Sequence, residues 1–177
     1  IIRVTADCPL IDSNIINNLI SEFKSGNYDY ISNVLERTFP RGLDAEIFSF
    51  QALEKARSLT KQGPEREHVT AFIYAHHEIF KLKNVRAEGI FNRPDIRICL
   101  DTKEDLEVLK KTFFNLQNPS TEEIIRYLDK NPEIKNLNSS SELYQIRKNQ
   151  EQGIKQLAMN TNNTKTTEIQ IGNRKIG

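Results

Sequence analysis

The sequence predicts an α/β fold built on a mainly parallel sheet, and three observations carry that reading. Short β-branched runs alternate with helical periodicities, the pattern of repeated βαβ units. Two of the predicted strands end in an aspartate, at Asp7 and at Asp101. Open α/β sheets bind ligands beyond the carboxyl ends of their strands, so the two carboxylates are placed to meet at one crevice edge.

The elements follow in order. Ile1 to Ala6 is a β-branched strand stopped by Asp7-Cys8-Pro9, since proline cannot continue a central ladder. Asp12 or Ser13 caps a helix whose apolar face is Ile15, Ile16, Leu19, Ile20 and Phe23, and Gly26-Asn27 ends it. Tyr28 to Val34 alternates as a strand, Arg37 to Leu43 is a loop, and Ala45 to Phe48 is a further strand. Ser49 caps a helix running to Leu59. A turn at Gln62-Gly63-Pro64 precedes a long helical pattern from Glu65 to Phe80. Asp95 to Leu100 is a strand, and Thr102 caps the helix that follows, with Glu104, Asp105 and Glu107 early in it, where the helix dipole favours acids. Ser120-Thr121-Glu122-Glu123 opens a last helix, ended by Asn131-Pro132.

After Pro132 the composition turns polar. The reading divides the chain into a domain over 1–133, a polar helical or unstructured linker over 134–167, and the start of another domain or a tail over 168–177. Ile1 falls inside a predicted strand, which leads to the expectation of residues upstream of it.

Bulk properties exclude several functions. The 177 residues carry a net charge of +1, so no bulk field draws in nucleic acid or an anionic membrane surface. The mean hydropathy is −0.57, and no apolar run approaches the roughly 20 residues that span a bilayer. Two cysteines, Cys8 and Cys99, lie in predicted buried strands, without the spacing of a zinc site or a disulfide framework. Reduced core thiols suit a cytoplasmic protein.

Three clusters carry candidate chemistry. Asp7 and Asp101 make an oxygen clamp of the kind a hard divalent cation takes together with substrate phosphates, or else serve as capping and turn residues. Arg37 to Glu46 places Arg37, Arg41, Asp44 and Glu46 around one loop-to-strand junction. Asp44 and Glu46, two apart, would share a strand face and accept hydrogen bonds from sugar hydroxyls, or would form local surface ion pairs. In Pro64 to Thr70, Arg66 and Thr70 share a helical face with His68 on the same turn. They would read a carboxylate or hydroxyl, or form a solvated charged face. His76-His77 is not a metal pair, because adjacent helical positions diverge. Nucleophile-elbow, Walker and Rossmann glycine signatures are missing, as is the Asp-x-Asp motif of glycosyltransferases.

Arg3-Val4-Thr5-Ala6-Asp7-Cys8-Pro9-Leu10-Ile11-Asp12 resembles the signature of the spore-coat polysaccharide biosynthesis cytidylyltransferases, relatives of the acylneuraminate enzymes. Further matches follow in order: Asp29 to Val34, Gly42 to Glu46, Arg66 to Thr70 and Leu100 to Leu106, with Ala6 and Lys103 departing from the usual Gly and Pro. The resemblance implies a three-layer α/β/α, glycosyltransferase-A-like nucleotidyltransferase fold, incomplete at its N-terminus. It implies transfer of CMP from CTP to a sialic-acid-like sugar with release of pyrophosphate. Asp7 and Asp101 would hold Mg²⁺, and Asn33, Asp44, Glu46, Arg66 and His68 would line the sugar side. It also implies a homodimer, and a nucleotide-gripping loop upstream of Ile1 without which the chain is inactive. Ile169 to Gly177 resembles the opening of N-acetylneuraminate synthases, so a fused synthase is expected to follow. Two alternatives stay open at this point: a non-catalytic sugar- or partner-binding fragment beside such a synthase, and a glycosyltransferase on the same fold.

Overall fold

Among the described residues, four short strands form a sheet in the order β1-β3-β2-β4, with β1 at Ile2–Arg3, β2 at Tyr30–Ser32, β3 at Glu46–Phe48 and β4 at Leu82–Asn84. The computed structural model describes residues 1–60 and 69–139. β3 runs antiparallel to both β1 and β2, and β2 pairs with β4 in parallel. The sheet is therefore mixed where a mainly parallel one was expected, although β1, β2 and β4 all point the same way. The reason lies in the loop over 33–45, which carries no helix. It turns the chain straight back, so β3 slots between β1 and β2 against their direction.

Strand alternation builds three layers. Ile31 and Ile47 face Ile15 and Leu19 of α1 (Ser13–Ser25), Val108 of α4 (Lys103–Asn115), and Ile124, Ile125 and Leu128 of α5 (Thr121–Lys130). Tyr30 and Phe48 face the other way, onto Ala52 and Ala56 of α2 (Phe50–Leu59) and Phe72 and Ile73 of α3 (Ala71–Ala75). The predicted apolar stripe of α1 is this buried face: Leu19 is fully enclosed, and Ile16, Ile20 and Phe23 pack around it.

Local signals set the helix ends. The Asp12 carboxylate accepts the Asn14 N–H at 2.7 Å, and its second oxygen accepts the Thr121 hydroxyl at 2.5 Å, which ties the start of α1 to the start of α5. Ser49 caps α2 through the Ala52 N–H, and α4 and α5 each open with a complete capping box, Thr102 with Asp105 and Ser120 with Glu123.

Two expectations are corrected. The strand expected over Asp95–Leu100 is a single parallel bridge, Arg41 to Arg97. Its partner segment offers one usable residue, because Pro40 has no N–H and Gly42 turns the chain at φ 108°. The long helix expected over Glu65–Phe80 is described only as α3 and a following turn in which the His76 carbonyl accepts the Ile79 and Phe80 N–H groups, each at 3.1 Å. Past that turn the chain joins β2 as β4, with the Lys81 N–H on the Asp29 carboxylate at 2.9 Å. The first compact unit runs Ile1–Asn138. α6 (Pro132–Lys135) and a 3₁₀ turn over Asn136–Asn138 belong to it, and Asn138 is 1% exposed. Of the expected linker only 134–139 lies within the described residues. The turn at 62–64 and the tail at 168–177 lie outside them.

Gly42 yields a test. A Cβ there would sit 2.6 Å from the backbone N of Cys99 and C of Ile98, at a positive φ. Gly42→Ala is expected to lower unfolding free energy by about 2 kcal/mol or more, read as a fall in the urea midpoint. An unchanged midpoint would show that the loop adapts.

Candidate active site

The two aspartates singled out by sequence are brought together through the backbone. The Leu100 N–H donates to the Asp7 carbonyl at 2.8 Å, so the segments ending at Asp7 and Asp101 lie side by side at the sheet's carboxyl edge. The Asp101 carboxylate is 15% exposed and takes the Arg97 Nη2 at 2.6 Å and the Cys99 thiol at 3.5 Å.

Behind it lies a buried ion pair that sequence reasoning missed. Arg97 donates Nε and Nη2 to the two oxygens of Asp105, both at 2.8 Å, and the side chains are 2% and 0% exposed. Asp105 also accepts the N–H groups of Asp101 at 2.9 Å and Thr102 at 3.0 Å, and the Asn138 amide at 2.8 Å. Burial pushes the Asp105 carboxyl up, but Arg97, the Asp101 N–H and Asn138 outweigh it and hold it below the ordinary aspartate range. Burial likewise works against the Arg97 charge, and Asp105 and Asp101 overcome it. The signal for this pair was in the sequence: an arginine inside the apolar run Ile96 to Leu100 requires a partner.

Among the described residues, Cys99, Asp101 and Asp105 form a trio whose ligand-type atoms lie within 4.8 Å of one another. The trio as a whole does not suit a metal. Both Asp105 oxygens are filled, Arg97 lies between the carboxylates, and burial pushes the Cys99 thiol up to about 12, leaving it protonated. The hard-oxygen donors at this edge are the carboxylates of Asp101 and of Asp7, whose segments pair through the backbone. That donor set fits a hard divalent cation rather than a soft one.

The loop leading into β3 is held from inside. Arg37 grips Asp44 with two bonds of 2.9 Å, and the Gly42 N–H adds one at 3.3 Å. Burial raises the Asp44 carboxyl, but Arg37, with Arg41 nearby, brings it below its ordinary value. Asn33 is fully buried and spans the loop, donating to the Leu43 carbonyl at 2.7 Å and accepting the Ala45 N–H at 2.9 Å. Glu46 accepts Arg3 at 2.9 Å, the Tyr30 hydroxyl at 3.0 Å, and Thr70 at 3.0 and 3.2 Å. Asp44 and Glu46 were expected to share a strand face, but Asp44 precedes β3 and the two take separate partners. Arg66 and His68 lie outside the described residues. His76 bonds Glu78 at 2.7 Å on an exposed turn, unrelated to this edge. A groove of about 550 Å³ between α1 and the 83–91 segment includes neither Asp7 nor Asp101 in its walls.

The pH dependence follows from the signs. Asp44 and Asp105 have folded-state values below their unfolded ones, so their stabilisation is full above the ordinary aspartate value of about 4 and fades as pH falls through the lowered values. Thermal melts from pH 6 downward should show Tm falling below about pH 4. Asp105→Asn should cost about 3–5 kcal/mol at pH 7, because it strands Arg97, and should flatten the acid limb. An unchanged acid limb would remove Asp105 as its source.

Comparison with known proteins gives the family. The family model described as cytidylyltransferase matches residues 1–134. The chain is 38% identical over 143 residues to an uncharacterized protein of Methanocaldococcus jannaschii, covering 79% of this chain and 57% of that protein. It is 31% identical over 139 residues to the spore coat polysaccharide biosynthesis protein SpsF of Bacillus subtilis, covering 75% and 56%. The solved structure of a cytidylyltransferase from Leptospira borgpetersenii superposes with a TM-score of 0.67 at 33% identity, over 76% of this chain and 57% of that one. The chain thus spans somewhat more than half the length of these relatives. The matched span holds the paired Asp7 and Asp101 segments, the Arg97–Asp105 pair and the braced 33–45 loop on one mixed sheet, and by that span this chain belongs to the cytidylyltransferase family.

Proposed function

We propose that this chain carries the acidic edge of a cytidylyltransferase site that transfers CMP from CTP to a sialic-acid-like sugar in cell-surface polysaccharide synthesis. The observation that carries the reading is the Leu100 N–H to Asp7 carbonyl bond, which sets the Asp7 and Asp101 segments side by side. In the reaction a sugar hydroxyl oxygen bonds to the α-phosphorus of CTP. The bond from that phosphorus to the bridging oxygen breaks, and pyrophosphate leaves with the electron pair.

Asp7 and Asp101 would hold Mg²⁺, which when bound supplies charge neutralisation to the phosphates. The chain's own contribution is order. Asp105 and Arg97 fix Asp101, the backbone fixes Asp7 against it, and the Arg37–Asp44 pair with Asn33 braces the loop that enters β3. Asn33 and Glu46 act here as braces of the sugar-side wall and Asp44 lies on the loop itself; in this reading Arg66 and His68 also bind the sugar. The resemblance of Ile169 to Gly177 to N-acetylneuraminate synthases supports a sialic-acid-like substrate and a fused synthase. A homodimer and a cytoplasmic location belong to the same reading. No helix among the described residues is long and apolar enough to cross a membrane.

The test is pyrophosphate release with CTP, Mg²⁺ and a panel of sialic-acid-like sugars, in this chain and in a version extended upstream of Ile1. Asp7→Ala and Asp101→Asn should each lower the rate at least about 100-fold in the active version, with chelator abolishing turnover. Full activity in either variant would remove the metal assignment. Transfer from a nucleotide sugar instead of CTP would move the chain to the glycosyltransferases.

A further inference from the structure

The groove between α1 and the 83–91 segment has an apolar floor and polar walls. Ile15, Phe39 and Val85 are buried beneath it, and half-buried Phe91 adds an aromatic side chain. Its volume of about 550 Å³ falls among those of small-molecule sites, roughly 300–1,000 Å³. Both cations in its walls are already answered by carboxylates, Lys83 by Glu22 at 2.5 Å and Arg86 by Glu36. Glu88 has no such partner among the described residues, so the unanswered charge in the groove is negative. Asn14 and Asn18 stand one turn apart on α1, and their side-chain amides make no hydrogen bond among the described residues.

We propose that this groove is a second ligand site, one that binds a neutral saccharide. A sugar ring carries apolar C–H faces and a girdle of hydroxyls, each able to donate and to accept. The C–H face matches the floor, where the negative face of an aromatic ring favours weakly positive hydrogens. Each asparagine amide offers one acceptor and two donors, and the Glu88 carboxylate offers acceptors alone, so the wall can serve both roles of a hydroxyl. An acidic ligand meets no uncommitted cation among the described wall residues and is repelled by Glu88. Phosphates, nucleotides and acidic sugars are therefore disfavoured here. The site does not depend on the cytidylyltransferase reading, because neither Asp7 nor Asp101 lines it.

The experiment reads binding without CTP or metal. The 177-residue chain, labelled with ¹⁵N, is titrated with glucose, with N-acetylglucosamine and with glucuronate, which keeps the glucose ring but ends in a carboxylate. At least one of the two neutral sugars should shift the backbone amide signals of 14–22 and 83–91, and glucuronate should bind at least about fivefold more weakly. Asn18→Ala should weaken the neutral sugar roughly fivefold, the scale of one hydrogen bond. Glu88→Gln should bring glucuronate to within about twofold of the neutral sugar. Both side chains are exposed, and the dispersion of the amide spectrum establishes that each variant is folded. The proposal is overturned by shifts with neither neutral sugar, by shifts centred elsewhere, by glucuronate binding as tightly, or by unchanged affinity in folded Asn18→Ala. If a variant does not fold, the shift map and the glucuronate comparison in the unaltered chain decide.

Discussion

Arg97 enters a run of Ile96, Ile98 and Cys99 that is almost wholly out of water, and its charge obliges the surroundings to answer it. Removing a guanidinium from solvent costs several kcal/mol unless its donors find acceptors. Asp105 supplies them from the first turn of α4, and the same carboxylate closes that helix's capping box with Thr102. One side chain thus ends a loop, starts a helix and neutralises a buried cation. The direction of Asp101, the seating of Asn138 and the entry angle of α4 all follow from that pairing.

The neighbouring braces work on the same logic. Asn33 satisfies a carbonyl and an N–H of the 33–45 loop with one amide, the arrangement a buried turn needs when no ladder is available to it. Arg37 and Asp44 form a two-bond fork, and Glu46 gathers donors from β1, β2 and the start of α3. The edge that carries Asp7 and Asp101 is backed by these side-chain pairs, although Arg97 Nη1 is buried with no hydrogen-bond partner among the described residues.

Much of this was legible in the chain. The caps at Ser49 and Thr102 were legible, Asp12 stood as one of two candidates with Ser13, and Ser120 opened the last helix as expected, because capping is local chemistry, decided by a side chain and the N–H groups two or three residues on. The Asp7 and Asp101 segments do pair, through the Leu100 N–H and the Asp7 carbonyl, but not as strand ends: β1 stops at Arg3 and 95–100 contributes a single bridge. Strand direction was not legible, since β3 carries the same alternation whichever way it runs, and only the helix-free loop before it decides. β4 escaped notice because Leu82-Lys83-Asn84 has no strand-like alternation and is recruited by Tyr30 to Ser32. The Arg97–Asp105 pair could have been inferred, since a lone charge in an apolar run is a question that the sequence poses. Its second partner, Asn138, could not, because nothing local marks an asparagine in a polar stretch as buried.

The Asp12–Thr121 bond joins residues 109 apart, and Asn138 reaches back 41 residues to Arg97 and 33 to Asp105. Contacts of such separation form late, after the entropy of closing long loops has been met. On the ribosome, the aspartate-bearing segment at the start of the chain therefore emerges well before the asparagine that completes its surroundings. During that interval the nascent edge is acidic, open and unlatched, and the last turn of the domain is what converts it from a loose end into a finished surface.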